Sequence, residues 1–162
     1  MEIIPYPSPN FNERPVGAKI KWIILHFTEL KDTKTSLMWM CDPRKEVSAH
    51  YLLCRTGKVY QLIDDKMRAW HAGVSVWGDE RNLNDTSIGI ELDNNGFEAY
   101  SGMQIQRLLA LLERLCKVHH IPKENILGHS DIAPDRKVDP GDHFPWDILY
   151  AKGFGAARSL RT

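Results

Sequence analysis

Charge of one sign is missing from this 162-residue chain: 21 Lys and Arg stand against 21 Asp and Glu, a formal net charge of zero. Without a basic surplus there is no electrostatic footprint for a polyanion, so nucleic acid is not an expected partner. Cysteine is scarce and odd in number, with Cys41, Cys54 and Cys116 well separated. No disulfide framework is expected, and the three read as buried, reduced thiols. No apolar run reaches the roughly 18 residues that cross a bilayer, so no integral membrane segment is predicted. The opening MEIIPYPSPNFNERP lacks a basic stretch followed by an apolar one. As written it is not a secretory leader, which predicts a cytoplasmic protein; a periplasmic or exported one is the alternative where a leader has been removed. Internal repeats and low-complexity tracts are also absent.

What is present is the balance of a folded, water-soluble domain, 43% hydrophobic and 26% charged, at a length that builds one core without covalent staples. Residues 1–19, rich in proline, predict an extended arm; 20–155 form the domain, and 156–162 a tail. IKWIILHFT (20–28) reads as a strand buried on both faces. DTKTSLMWMCD (32–42), stopped by Pro43, predicts a short helix. AHYLLCRTGKVYQLI (49–63) predicts a hairpin turning at Gly57, and TSIGIELD (86–93) another strand. Ser101 with Gln104 forms a capping-box pattern ahead of apolar residues at helical spacing from Ile105 to Cys116, and His119 and His120 are expected to cap that helix's last turn. NILG (125–128) predicts a strand and PWDILYAKG (145–153) a helix with Pro at its start and Gly at its end. The fold class is α/β: a single domain, a central mixed sheet flanked by helices.

Loops that follow core strands are where α/β proteins place reactive groups. His26 ends the first buried strand and His129 directly follows the strand ending at Gly128. Either histidine alone is as well explained by a structural hydrogen bond. If the two strands are neighbours, two imidazoles converge at one edge of the sheet, the beginning of a zinc site of three protein ligands and an open position. Asp131, Asp135, Asp139, Asp142 and His143, all in GHSDIAPDRKVDPGDHFPW (128–146), are candidates for the third ligand, and spacing does not choose among them. Amide hydrolysis at such a centre also needs a proton carrier. Glu91, an acid in the apolar strand SIGIEL, is the candidate, and Lys137 is placed to meet an oxyanion. The plainer readings are a salt-bridged edge residue for Glu91 and a solvated charge pair for Arg136 and Lys137.

Several ordered stretches together resemble the zinc-dependent N-acetylmuramoyl-L-alanine amidases of the AmpD/AmiD type, relatives of phage amidase lysozymes and of peptidoglycan recognition proteins. NFNERP with WIILHFT, VSAHYLL with GKVYQL, AWHAG with LNDTSIGIEL, and above all GHSDIAPDRKVDPGDHFPW carry the likeness along almost the whole chain. The resemblance implies one Zn²⁺ on His26, His129 and Asp139, Glu91 as catalytic base and acid, and Lys137 as transition-state stabiliser. The reaction implied is cleavage of the amide between N-acetylmuramic acid, or its 1,6-anhydro form, and L-alanine of the stem peptide. A non-catalytic module that binds peptidoglycan fragments is the alternative. The partner is peptidoglycan or a muropeptide, and the protein is expected to act as a monomer. Trp70, Trp77, Arg81, Asn82 and Ala133 are expected to contact substrate; for either tryptophan a core position is the competing reading. Asn82 departs from the pattern, standing where relatives often carry an arginine, with Arg81 adjacent. Asp139 stands where phage relatives commonly have cysteine, leaving the metal the stronger Lewis acid. His50 and His71 are expected to support the site or the core.

Overall fold

The structure, a computed structural model, describes residues 1–160. Its centre is a six-stranded sheet in the order β1-β5-β4-β9-β3-β10, with β1 Ile4–Pro5, β3 Trp22–Phe27, β4 Tyr51–Leu53, β5 Val59–Gln61, β9 Ser87–Leu92 and β10 Ile126–Gly128. Every pairing is parallel except the β4–β5 hairpin, whose turn is made at Gly57 with a positive φ of 91°. The sheet is therefore mixed, as expected. Two small antiparallel pairs stand apart: β2 Phe11–Glu13 with β6 Met67–Ala69, and β7 Val76–Trp77 with β8 Glu80–Arg81.

Side chains alternate across a strand, so each strand supplies both faces. On one face Ile23, Leu25, Ile88, Ile90 and Ile126 meet Leu108, Leu111, Leu112 and Leu115 of α2 Gly102–His119 in the largest core. The opposite face carries Leu52 against Leu37 and Met40 of α1 Thr33–Cys41, and Ile24 and Leu127 against Ala72, Leu83 and Ile132. His26 and Glu91 belong to this second face.

Several expectations change in detail. Ser101 accepts from the Gln104 N–H as an N-cap should, but Gln104 does not return the bond. Its buried amide donates instead to the carbonyls of Leu53 and Asp93, bolting the helix to two strands. His120 ends α2 through its left-handed backbone, whereas the His119 imidazole reaches away to Asp65. Pro145 is the N-cap of α4 Trp146–Ala151 and not its first residue. Cys54 and Cys116 are buried, but Cys41 is partly exposed at the end of α1; all three are free.

The arm does more than wrap. β1 edges the central sheet, and the Arg14 guanidinium donates to the carbonyls of Asp65, Asn84, Asp85 and Ser87. Of the 156–162 tail, Ala156–Leu160 form a 3-10 helix with Ala157 buried against Leu127, while residues 161–162 lie outside the described part. Among the described residues no helix is long and apolar enough to cross a membrane.

Candidate metal centre

The sheet register builds the centre. β3 and β10 run parallel with Leu25 opposite Gly128, so the next residue of each chain, His26 and His129, leave the sheet side by side. His129 then opens a one-turn helix, α3 His129–Ile132, within what the sequence suggested was an irregular loop. The Asp131 carboxylate accepts from the Gly128 N–H and from Arg158. Asp131, one of the candidate ligands, is thus taken up by the local scaffold. Across β3, His26 is paired with Glu91 on β9.

His26 Nδ1 lies 3.0 Å from His129 Nδ1 and 3.0 Å from Asp139 Oδ2, and His129 Nδ1 lies 3.2 Å from the same oxygen. Among the described residues these three form the group able to hold a metal ion. All are buried. Metal bonds of about 2.0–2.2 Å in a tetrahedral shell put neighbouring donors roughly 3.3 Å apart, close to what is seen. Metal donors must also be unprotonated, and the surroundings favour that. Burial, reinforced by His129, lowers the His26 pKa to about 4. Burial alone would raise Asp139, but the adjoining His129 and His26 imidazoles prevail and hold its carboxyl well below the usual range. The donor set fits a divalent cation, and the choice among the five candidates of the loop falls on Asp139.

Glu91 is the complement. Its Oε2 is buried with no hydrogen-bond partner, and burial together with the Asp139 charge pushes its pKa well above the ordinary carboxylate value, against the pull of Lys137. A carboxyl so placed holds its proton more readily than an ordinary glutamate does.

A cleft of about 560 Å³ opens beside the centre, lined by His129, His71, Lys137, Arg136, Arg68, Trp70 and Asn12 among others. On the other flank a second depression of about 370 Å³ is bounded by Phe27, Phe97, Val138 and His143. Of the expected substrate residues, only Trp70 lines the first cleft, its indole N–H held by Asn12. Trp77 packs edge-on against Trp22 above the core. Arg81 is exposed in the β7–β8 hairpin, donating to Gly78 and Glu80 carbonyls, and Asn82 follows it in the left-handed region. Ala133 is buried, with its N–H donated to His129 and its carbonyl accepting from Arg136 and Lys137. None of these four borders either depression.

Sequence reasoning did not single out Arg68 or Asn12, and for Arg136 it offered only a solvated charge pair with Lys137 as the plainer reading. Arg136 in fact donates to the carbonyls of Ala72 and Val74, closing the loop over the cleft. No periodic pattern marks such residues, because they come from separate short strands and loops; only the odd placement of Arg68 inside the short run MRAW gave a local signal.

A family model described as N-acetylmuramoyl-L-alanine amidase matches residues 16–142. The N-acetylmuramoyl-L-alanine amidase AmiD of Escherichia coli (strain K12) is 42% identical over 154 residues, covering 85% of this chain and 55% of AmiD. The chain thus spans about half the length of that relative. The 1,6-anhydro-N-acetylmuramyl-L-alanine amidase AmpD of Salmonella typhimurium (strain SL1344) is 36% identical over 157 residues, 86% of this chain and 84% of AmpD. Among solved structures, E. coli AmiD in complex with the substrate anhydro-N-acetylmuramic acid-L-Ala-D-gamma-Glu-L-Lys superposes with a TM-score of 0.80 at 38% identity, over 89% of this chain and 62% of that one.

Proposed function

The chain belongs to the N-acetylmuramoyl-L-alanine amidase family, and from that premise we propose that it is a zinc amidase cutting the bond between N-acetylmuramic acid, or its 1,6-anhydro form, and L-alanine of the stem peptide. The observation that carries the proposal is the meeting of three buried donors, His26, His129 and Asp139, with Glu91, whose buried Oε2 has no partner, on the neighbouring strand. A single Zn²⁺ held by those donors supplies a Lewis acid for the scissile carbonyl and brings the pKa of a water to about 7. Glu91 takes the proton released from the attacking water and returns it to the leaving nitrogen. Its raised pKa suits both halves of that transfer. Lys137, on the rim of the cleft, offsets negative charge developing on the carbonyl oxygen. The cleft on one side and the depression on the other leave room for a substrate that extends beyond the cut bond. Trp70 offers an aromatic face there, with Arg68 and Arg136 as cations for the stem peptide's carboxylates.

A fragment-binding module would need neither Glu91 nor a metal. Mass spectrometry of products from paired anhydro- and reduced-sugar muropeptides, with and without chelator, decides the matter. Release of free stem peptide that stops on chelation and returns with zinc is expected. Binding without release from the zinc-loaded protein would overturn the reading, and a strict preference for one sugar would narrow the substrate.

A further inference from the structure

The two histidine donors share a support that the proposed chemistry leaves unexplained. His71 sits beneath His26 with its ring laid on Gly89 of β9, where even one Cβ would come within 2.4 Å of the imidazole. The hydrogen bonds around it run in one direction. Ser87 Oγ has a single proton, and it goes to the Leu83 carbonyl, which only accepts. Ser87 Oγ is therefore an acceptor toward His71 Nε2, 3.1 Å away, and that nitrogen must carry the proton. His71 Nδ1 is then a bare acceptor, and the atom 3.0 Å from it, His26 Nε2, must be the donor. With Nε2 protonated, a neutral His26 presents a lone pair on Nδ1 toward Asp139 and His129.

The residue after His71 does the same for the other donor. The Ala72 carbonyl accepts from His129 Nε2 at 3.0 Å, so that a neutral His129 presents a bare Nδ1 toward the centre. The Asn84 side-chain oxygen accepts from both the His71 and the Ala72 backbone N–H, at 3.0 and 2.8 Å, and so fixes the dipeptide itself.

We infer that the His71–Ala72 dipeptide, clamped by Asn84 and Ser87, is the positioning device of the metal centre, setting both histidine donors in the Nε2-protonated, Nδ1-bare form. His71 is a positioning residue and touches no reacting atom. The inference rests on the zinc reading of the site, since a bare Nδ1 matters only where a cation is to be held. Outer hydrogen bonds of this kind typically carry about 10- to 100-fold in metal affinity.

The test uses the full chain and zinc itself, titrated against a chromophoric chelator. His71→Leu is expected to weaken zinc binding by about 10- to 100-fold. His71→Asn, whose amide oxygen can stand near the lost Nδ1, should recover most of the affinity. Leucine and asparagine variants that both bind zinc as the wild type does would overturn the inference, as would equal losses in both with the fold intact by circular dichroism. Should the leucine variant fail to fold, the long-range ¹⁵N–¹H spectrum of the wild type gives the answer directly. His71 is expected to show a protonated Nε2 and a bare Nδ1, with or without metal, and a protonated Nδ1 would overturn the inference. A wild type that shows this tautomer but takes up no zinc counts against the amidase reading instead.

Discussion

At the residue scale, Glu91 joins two features: its Oε2 is buried without a hydrogen-bond partner, and it lies opposite His26 on the neighbouring strand. Glu91→Gln keeps the shape and removes the proton carrier. We expect turnover to fall by about 10²- to 10⁴-fold with zinc content and thermal midpoint near wild type; unchanged hydrolysis of muropeptides would take Glu91 out of the mechanism. His50 sets a different expectation. Its Nε2–H meets the Met67 carbonyl and its Nδ1 accepts from the Gly89 N–H, and burial lowers its pKa from 6.5 to about 4. Between those values the unfolded chain binds the proton and the folded one does not, so stability present above pH 6.5 is lost as pH falls toward 4. That group alone accounts for about 3 kcal/mol. Urea midpoints at pH 7.5 and 4.5 should differ less in His50→Gln than in the wild type. Glu91 was legible in the sequence because an acid in an apolar strand is conspicuous. The role of His50 was not, since a histidine's partners are invisible until the fold brings Met67 and Gly89 to it.

At the scale of elements, two polar side chains do work that an apolar pattern cannot describe. Gln104 joins α2 to β4 and β9 through two carbonyls that have no other side-chain donor. Gln104→Leu takes one donor from the Leu53 carbonyl, which keeps the Asp93 N–H, and the side-chain donor from the Asp93 carbonyl, a cost of about 1–3 kcal/mol, seen as a lower urea midpoint with an unchanged slope. Arg14 ties the arm to four carbonyls from the β6 and β9 regions, and burial lowers its pKa to about 10. Arg14→Met should destabilise the protein by about 3 kcal/mol and loosen the segment preceding β3, with faster amide exchange over residues 4–13 as the check. The main strands and helices were readable because largely apolar runs of six residues and a helical period of 3.6 over eighteen are strong local signals. The pairs β2–β6 and β7–β8 and the one-turn α3 were missed because two to four residues carry no period, and β2 and β6 in addition lie far apart in the chain.

Across the whole molecule a metal held at this centre would act as a clasp. The candidate donors come from β3 and, more than a hundred residues later, from α3 and the loop before α4. A ligand that binds only the folded state adds about 2.7 kcal/mol at a hundredfold excess over Kd. Chelation should therefore lower the thermal midpoint measurably and zinc should restore it; an unchanged midpoint would mean the centre holds no metal in solution. What the sequence by itself determined was the alternation of apolar strands and helices, the residue types able to ligate and to carry protons, and, through likeness to a family, the expectation that Asp139 is the third donor. Only the tertiary structure decided that β3 and β10 are neighbours in the register that brings two imidazoles together, that Trp77, Arg81, Asn82 and Ala133 stand off the cleft, and that one dipeptide holds both histidines. Periodicity is a local property written in adjacent residues, whereas strand order and hydrogen-bond direction arise only when distant segments share a surface.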